Sequence, residues 1–417
     1  MTELPSTPRP AGGGGRSYLA IPGPSVVPDR VLNAMHVAAP DIYGEALGEV
    51  AASIDDDLKA LARTDHHVAV YIANGHGAWE AANANMFSRG DAALVLVTGL
   101  FGEGWAKSAE AMGVQVQRLD FGRARALDPD AVESALRADT ERRIRVVLVS
   151  HVDTSTSVRN DLVALRAAID AAGHPALLAV DAIASLGCEV MEMDRWGVDV
   201  MVGASQKGLM TPPGLGFVWI SDKALEACAD SDCRTPYWDW TPRVHPSRFY
   251  QRFGGTAPTH HLFGLQVALR MIVHEEGVEA VSRRHAMLAR AVWSAFDAWS
   301  KGAGADSAIA MNVATPAHRS HAVTTVRFKA PLAKQLRQWV QANTGLTLGI
   351  GVGMVPDGDP GADAYLRMAH MGHVNAHMTL GALACIEAAM VALNMGHGPG
   401  GVAAAAAVLA AGPHGSA

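Results

Sequence analysis

Residues 198–208 read VDVMVGASQKG: an apolar run ends on small residues and then presents one lysine, Lys207. The run predicts a buried strand, and the segment TPPGLG at 211–216 breaks any helix that would follow. The small residues would leave room for a cofactor beside the amine. A desolvated lysine on such an irregular segment loses its charge readily and can attack an aldehyde. The alternative is a solvated lysine at a strand end, because most lysines are exposed to water.

A second apolar run, PALLAVDAIASLG at 175–187, delivers a single carboxylate, Asp181. A buried parallel strand would place Asp181 at the carboxyl edge of an α/β sheet, where such sheets bind ligands. Pyridoxal phosphate needs an acid against its pyridine nitrogen, because the protonated ring withdraws electrons from the substrate α-carbon. A helix cap or turn is the alternative for Asp181 alone. The ordered pair of Asp181 and Lys207 favours a pyridoxal phosphate site.

Several ordered segments resemble one known family, the class V, fold-type I aminotransferases, and among them the alanine/serine–glyoxylate aminotransferase group. They are VDAIASLG at 180–187, GASQKG at 203–208, PPG at 212–214, IPGPSVVP at 21–28 and LRMAHMG at 366–372. The resemblance implies a transaminase with pyridoxal 5'-phosphate as cofactor and with Lys207 and Asp181 as catalytic residues. It also implies transfer from serine, alanine or aspartate to a 2-oxo acid, with glyoxylate the expected acceptor and glycine the product.

Composition restricts the classes of function. A hydrophobic content of 49% and a charged content of 18% predict a well-packed soluble protein. The formal charge of -7 argues against a general binder of nucleic acid or anionic membranes. Four cysteines without paired metal-ligand spacing predict reduced thiols and a cytoplasmic location. No apolar segment is long enough to span a bilayer, so we expect no membrane partner.

Strand-like and helix-like segments alternate from residue 21 onward. Strands are predicted over 68–72, 92–97 and 145–149, with helices over 78–87, 104–112 and 162–172. Strands spaced by helices predict an α/β fold with a mostly parallel, doubly wound sheet. The resemblance implies a fold-type I transferase, whose large domain has a seven-stranded type of sheet and whose smaller C-terminal domain is α+β.

The domain boundaries follow from changes in composition. We expect a flexible N-terminal arm over 1–20, a large cofactor-binding domain over 21–275, a small C-terminal domain over 276–396 and a low-complexity tail over 397–417. The alternating segment AVTTVRF at 322–328 predicts a half-exposed strand of the small domain. The alanine-rich tail, flanked by glycine and proline, is expected to be loosely attached.

The cofactor phosphate is expected near NGHGAWE at 74–80, because a strand precedes it and a helix follows, so backbone N–H groups would face the anion. A plain strand-to-helix turn is the alternative. The resemblance implies that Gly75, His76 and Gln206 contact this phosphate, that Phe101 stacks on the ring and that Thr154 lies near the phenolic oxygen. It also implies that Thr256 reaches the phosphate of a neighbouring subunit, which predicts a homodimer with shared sites.

Two residues are candidates for binding the substrate. Arg367 presents a planar fork that would pair with the α-carboxylate, and the resemblance places His370 in the substrate pocket. The spacing of His370, His373 and His377 raises the question of a metal, but Gly372 interrupts any helix and no acidic ligand is near, so none is expected.

The chain departs from the family at three places. Phe253 stands where the family usually has tyrosine, and it cannot donate a hydrogen bond. Ser157 replaces the usual glycine, which predicts a different backbone there. The segment PDIYG at 40–44 lacks the usual His-Arg pair on the donor side, which leaves the donor open among the small amino acids.

Two other functions use the same features. A cysteine desulfurase or lyase would need a cysteine on a mobile loop, for which Cys228 or Cys233 would serve, and usually has histidine where this chain has Gln206. A noncatalytic protein would bind pyridoxal phosphate without turning over an amino donor.

Overall fold

The computed structural model describes residues 15–303 and 307–412. Its strands are β1 (Tyr18–Ala20), β2 (His67–Ala73), β3 (Ala92–Val97), β4 (Gln115–Asp120), β5 (Ile144–Ser150), β6 (Val152–Asp153), β7 (Val158–Arg159), β8 (Leu177–Asp181), β9 (Val200–Ala204), β10 (Gly214–Ile220), β11 (Ala310–Met311), β12 (Val323–Arg327), β13 (Leu346–Ile350) and β14 (Tyr365–Ala369). Its α-helices are α1 (Asp29–Met35), α2 (Glu45–Ala62), α3 (Gly75–Met86), α4 (Leu100–Ala111), α5 (Pro129–Ala138), α6 (Leu162–Ala171), α7 (Asp222–Ala227), α8 (Thr241–Val244), α9 (Thr259–Leu269), α10 (Val278–Ser300), α11 (Leu332–Thr344), α12 (Ala376–Ala392) and α13 (Gly401–Ala411).

The large domain is built on a seven-stranded sheet in the order β2-β10-β9-β8-β5-β3-β4. All neighbours pair in parallel except β10, which runs antiparallel to both β2 and β9. Helices α2, α5, α6 and α9 pack on one face, and α3, α4 and α7 pack on the other. The sheet is therefore the doubly wound, mostly parallel one that the sequence predicts, with the ends of β8 and β9 at its ligand-binding edge.

The small domain carries a second sheet, in the order β1-β13-β14-β12-β11. Its core is formed with helices α10 to α13 and includes Phe296, Trp299 and Leu383. Strand β12 was expected to be half exposed, but its first four residues are buried. The prediction is wrong because both faces of β12 are covered: Thr324 and Thr325, on opposite faces, bond to His370 and to the chain at Ser155.

Two predicted domain boundaries are also wrong. The predicted arm includes β1, which pairs in parallel with β13 and so belongs to the small domain; residues 1–14 lie outside the described residues. The predicted loose tail forms α13, whose Ala405 is fully buried against the small-domain core. Packing is close there, since a Cβ at Gly401 would lie 2.1 Å from the Trp299 indole nitrogen. No described helix has the length and apolar character needed to cross a membrane.

Candidate active site

The two catalytic candidates meet in one cavity of about 230 Å³ at the carboxyl ends of β8 and β9. All the predicted site residues line it except three, Thr256, Arg367 and His370. Apolar walls are added by Val152, Ile183 and Ala184. The parallel pairing of β8 with β9 brings Asp181 level with Val202, so the strand ends deliver the acid and the lysine to the same edge.

Lys207 lies on the irregular segment between β9 and β10, as predicted. The Ser205 hydroxyl donates to the Pro212 carbonyl (2.7 Å) and holds this segment closed. The amine of Lys207 is buried and donates to the Pro22 carbonyl. Burial, together with the positive charge of Arg367, lowers the pKa of Lys207 to about 8. A larger fraction of this amine is therefore neutral near physiological pH than for a solvated lysine.

Gly23 packs directly against Lys207. A Cβ at this position would lie 2.7 Å from Cδ and Cε of Lys207 and 2.8 Å from Nζ. The φ of Gly23 is +97°, a conformation that side chains with a Cβ rarely adopt. Gly208 was expected to leave room for a cofactor, but it packs against the chain at Leu186. A Cβ added at Gly208 would lie 2.2 Å from the Leu186 carbonyl oxygen.

Asp181 ends β8 with its carboxylate buried in the cavity wall. One oxygen accepts from the backbone N–H of Ile183 (2.8 Å), and the other accepts from the Trp79 indole N–H (3.1 Å). Burial and, to a smaller extent, the negative charge of Asp153 raise the pKa of Asp181, the two hydrogen bonds and Lys207 lower it, and the net value is about 7. The carboxyl is therefore poised to share a proton near neutrality.

Aromatic rings form one side of the cavity. Trp79 lies edge-on to His76 and Phe101, with ring centroids 4.7 and 6.4 Å apart, and it stacks on Trp105 at 6.3 Å. Trp79 is not among the site residues predicted from the sequence. The signal was its spacing: it lies three residues after His76 on α3, so both side chains share a helix face.

The start of α3 differs from the expectation that its N–H groups are free. The side chain of Asn74 caps the helix and accepts from the N–H groups of His76 (3.0 Å) and Gly77 (3.3 Å). A Cβ at Gly75 would lie 2.6 Å from Ile183 Cδ1, so the Ile183 side chain would have to shift to admit a larger residue. Gln206, which lines the same cavity, has a buried side-chain oxygen, Oε1, without a hydrogen-bond partner among the described residues. A bound phosphate would compete with Asn74 for the helix N–H groups.

Arg367 approaches the site from β14 of the small domain. Its Nε donates to the Ile350 carbonyl (2.6 Å) and its Nη1 to the Thr154 carbonyl (2.8 Å). Within the described residues Nη2 makes no hydrogen bond, so it is the guanidinium atom left for a ligand. Burial lowers the pKa of Arg367 to about 10, and Asp153 opposes that shift. The guanidinium remains charged at neutral pH.

Ser157 keeps the backbone conformation that glycine favours, contrary to the expected departure. Its φ is 62°, and its hydroxyl donates to the Thr156 carbonyl (2.6 Å) while accepting from the Thr325 N–H (3.1 Å). Phe253 is buried in the core beneath the sheet, where a hydroxyl would have no access to the cavity of its own chain.

Three predicted residues lie away from the cavity. His370, predicted to line the substrate pocket, does not line this cavity and is fully buried; its Nε2 contacts the Thr324 hydroxyl (2.9 Å) and its Nδ1 contacts the His321 carbonyl (2.7 Å). Burial lowers the pKa of His370 to about 4, so it stays neutral. Thr256 lies in a separate surface groove with Tyr43 and Tyr250. Arg367 does not line the cavity, and its guanidinium contacts the carbonyl of Thr154, a residue that does.

The residues present fit a pyridoxal phosphate. The cavity offers a buried amine, a buried acid, aromatic and apolar walls for a ring, and the side-chain amide of Gln206, whose N–H can donate to a phosphate oxygen. Neither cysteine proposed for a desulfurase lines it. Burial raises the pKa of Cys228 to about 11 and that of Cys233 in the same direction. Within the described ranges no three histidine, cysteine or acidic side chains cluster as metal ligands.

Comparisons with known proteins show the family of this chain. The family model described as aminotransferase class-V matches residues 17–348. A serine–glyoxylate aminotransferase from Methylorubrum extorquens is 35% identical over 96% of this chain and 97% of its own length. An L-aspartate–glyoxylate aminotransferase from Paracoccus denitrificans is 32% identical over 90% and 91%. The crystal structure of pyridoxamine–pyruvate aminotransferase from Mesorhizobium loti superposes with a TM-score of 0.85 at 26% identity, covering 98% of this chain and 99% of that chain.

The doubly wound sheet and the acid–lysine pair at neighbouring strand ends define a fold-type I pyridoxal phosphate enzyme. The chain belongs to the class V aminotransferase family. It is therefore an aminotransferase with pyridoxal phosphate as its cofactor, which confirms the predicted fold class, enzyme class and cofactor.

Proposed function

We propose that this enzyme transfers the amino group of serine, alanine or aspartate to glyoxylate and releases glycine. The observation that carries the proposal is the cavity that joins the buried Lys207 amine to the buried Asp181 carboxylate, with Arg367 close enough to lower the pKa of the lysine. Relatives that are similar over nine-tenths or more of this chain are named serine– and aspartate–glyoxylate aminotransferases. A compact acceptor also suits a site in which the Gly23 backbone packs against the amine.

Each residue has a distinct task in this proposal. Bound pyridoxal phosphate supplies the electron sink for the substrate α-carbon. Lys207 would hold the cofactor through its Nζ, and the same amine would move the proton at the substrate α-carbon. Asp181, buried and fixed by hydrogen bonds from Ile183 and Trp79, would in its ionised form stabilise the protonated pyridine nitrogen. Arg367 orients the substrate by pairing its guanidinium with the α-carboxylate.

The remaining cavity residues hold the cofactor. We assign the phosphate to the start of α3 at Gly75 and His76 and to the side chain of Gln206. Phe101 covers a face of the ring and excludes water, and Thr154 lies beside the phenolic oxygen. The support is that all five residues line the cavity with the acid and the lysine.

We further propose a homodimer in which Thr256 contacts the phosphate of the partner subunit. Thr256 lies outside the cavity of its own chain, in a groove where Tyr43 and Tyr250 are 90% and 51% exposed. Large exposed aromatic groups around a groove are typical of a protein interface. Analytical ultracentrifugation of the holoenzyme tests the homodimer, and sedimentation as a monomer would contradict it.

The free thiols of all four cysteines favour a cytoplasmic location.

A single assay tests the reaction. Purified holoenzyme receives glyoxylate with one amino acid at a time, and glycine is quantified. Glycine from serine, alanine or aspartate supports the proposal, whereas none from any donor would remove glyoxylate transamination. Adding the donor without glyoxylate separates the noncatalytic alternative, since a transaminase converts its bound cofactor in the first half-reaction and changes its visible absorbance.

A further inference from the structure

Asp153 is a fully buried carboxylate directly behind the cavity wall, at the end of β6. One oxygen accepts from the N–H (2.9 Å) and hydroxyl (2.5 Å) of Ser155. The other accepts from the backbone N–H groups of Phe101 (2.8 Å) and Gly102 (3.3 Å). The carboxylate thus ties the turn after β6 to the first turn of α4.

The contact replaces a helix cap that α4 lacks in its own sequence. Its N-cap residue, Gly99, has no side chain to accept from the helix, so Asp153 accepts from outside. The Ser155 hydroxyl completes the cap by accepting from the Leu100 N–H (3.0 Å). A Cβ on Gly99 would lie 2.2 to 2.4 Å from the Asp153 carboxyl atoms, so the glycine makes this approach sterically possible.

We propose that Asp153 is a positioning residue that fixes Phe101 relative to Thr154, the two cavity residues assigned to the ring face and the phenolic oxygen. Asp153 bonds to the backbone of Phe101 and directly precedes Thr154 in the chain. The inference rests on the proposed cofactor contacts of these two residues.

Asp153 also affects the pKa values of the charged groups at the site. Its negative charge raises the pKa of Lys207, of Asp181 and of Arg367, in each case against or alongside a larger effect of burial. Arg367 in turn donates to the Thr154 carbonyl, next to Asp153 in the chain. The Asp153 carboxylate therefore both holds the backbone of Phe101 and raises the pKa values of the three charged groups.

The test compares Asp153→Asn with Asp199→Asn. Asp199 is the matched control, because it is also buried and accepts from a backbone N–H, that of Leu178 (2.8 Å), but it immediately precedes β9, at the end of the sheet opposite the cavity. The readouts are the dissociation constant of pyridoxal phosphate and the visible circular dichroism of the bound cofactor, which reports a fixed ring orientation. We expect Asp153→Asn to raise the constant about 10- to 100-fold and to reduce the dichroism, because an amide N–H would face helix donors. Asp199→Asn should change neither.

A second variant approaches the same contact from the helix. Gly99→Ala would push the carboxylate away without altering its charge, so it should lower the dichroism even if Asp153→Asn fails to fold. Wild-type cofactor affinity and dichroism in either variant would overturn the inference, as would an equal loss in Asp199→Asn. Because these readouts concern cofactor binding, absence of glyoxylate turnover in the wild type would remove the proposed function separately.

Discussion

The indole N–H of Trp79 donates to Oδ2 of Asp181 over 3.1 Å, between residues 102 positions apart in the chain. It is the one side-chain donor to this carboxylate within the described residues, and the second oxygen is held by a backbone N–H. A hydrogen bond to the ionised form lowers the pKa of a carboxyl, so Trp79 opposes the effect of burial on Asp181. The indole therefore both aims the acid and keeps part of it ionised.

Replacing Trp79 with phenylalanine should slow transamination. Trp79→Phe keeps an aromatic ring in the wall but removes the N–H, so the pKa of Asp181 rises and the acid is less well oriented. A hydrogen bond to a charged group contributes about 1.5–3 kcal/mol, which corresponds to a loss of about 10- to 100-fold in kcat. Single-turnover rates with an amino donor measure the effect.

Trp105→Phe is the matched control, because Trp105 stacks on Trp79 but donates its N–H to Asn83 (3.0 Å). It should retain most of the activity. Equal losses in both variants would mean that ring packing, and not the bond to Asp181, is responsible.

Replacing Lys207 with alanine should abolish covalent capture of the cofactor. Borohydride reduction of the wild-type holoenzyme followed by peptide mass spectrometry should find the adduct on Lys207, and Lys207→Ala should carry none. The variant should also lose at least about 10²- to 10⁴-fold in turnover, because it lacks the group that moves the proton. Lys107→Ala, an exposed lysine on α4, should behave as wild type. An adduct on any other lysine of the wild type would contradict the assignment.

The titration of Asp181 should appear in the stability of the apoprotein. The pKa of Asp181 is raised to about 7 from 3.8. A raised pKa in the folded state gives stability that is complete below the unfolded value and is lost as pH rises through the folded value. Between about pH 5 and about pH 8 the wild-type Tm should therefore fall relative to that of Asp181→Asn, by roughly 2 °C for each kcal/mol. If the curves of Tm against pH were parallel for the two proteins, the pKa of Asp181 would not be raised.

The central part of this site is local in sequence, which is why it can be predicted. Asp181 and Lys207 each follow an apolar run, and parallel strands place such residues at one edge of the sheet. The strand at 92–97 is also predicted with its observed bounds, because every residue after the first is buried and the pattern is continuous.

The parts that sequence could not supply depend on contacts between distant segments. Strand β1 is three residues long and is recognisable only through its pairing with β13. The alanine-rich α13 has no polar face to indicate its orientation, yet it is ordered by packing against Trp299. His370 was placed in the pocket by resemblance, but its hydrogen bonds to Thr324 and His321 keep it in the small-domain interior.

Replacing Arg367 with lysine should affect substrate binding more than the chemical step. Lysine has one ammonium nitrogen in place of the planar fork, so it cannot occupy the positions of Nε and Nη1 at the Ile350 and Thr154 carbonyls and also place another nitrogen toward a ligand. We expect KM for both the amino acid and glyoxylate to rise by about 10-fold or more. Arg319→Lys is the control, because Arg319 is also buried and bonded to main-chain carbonyls, those of Val313 and Ala314, but lies away from the cavity. An unchanged KM in Arg367→Lys would remove Arg367 from the substrate site.

Ser157 offers a test of how a strained residue is retained beside the site. Its left-handed φ of 62° costs a residue with a Cβ about 1–2 kcal/mol, whereas glycine adopts it freely. Its hydroxyl, however, is the acceptor for the buried Thr325 N–H, and an unsatisfied buried donor costs about 1–3 kcal/mol. Ser157→Gly relieves the strain and loses the bond, while Ser157→Ala keeps the strain and loses the bond. The free energy of unfolding in urea should therefore decrease from wild type to Ser157→Gly to Ser157→Ala, with the two variants about 1 kcal/mol apart. If Ser157→Gly were more stable than wild type, the hydrogen bond to Thr325 would contribute less free energy than the strain costs. The contact between this turn and β12 would then not explain why serine stands at position 157.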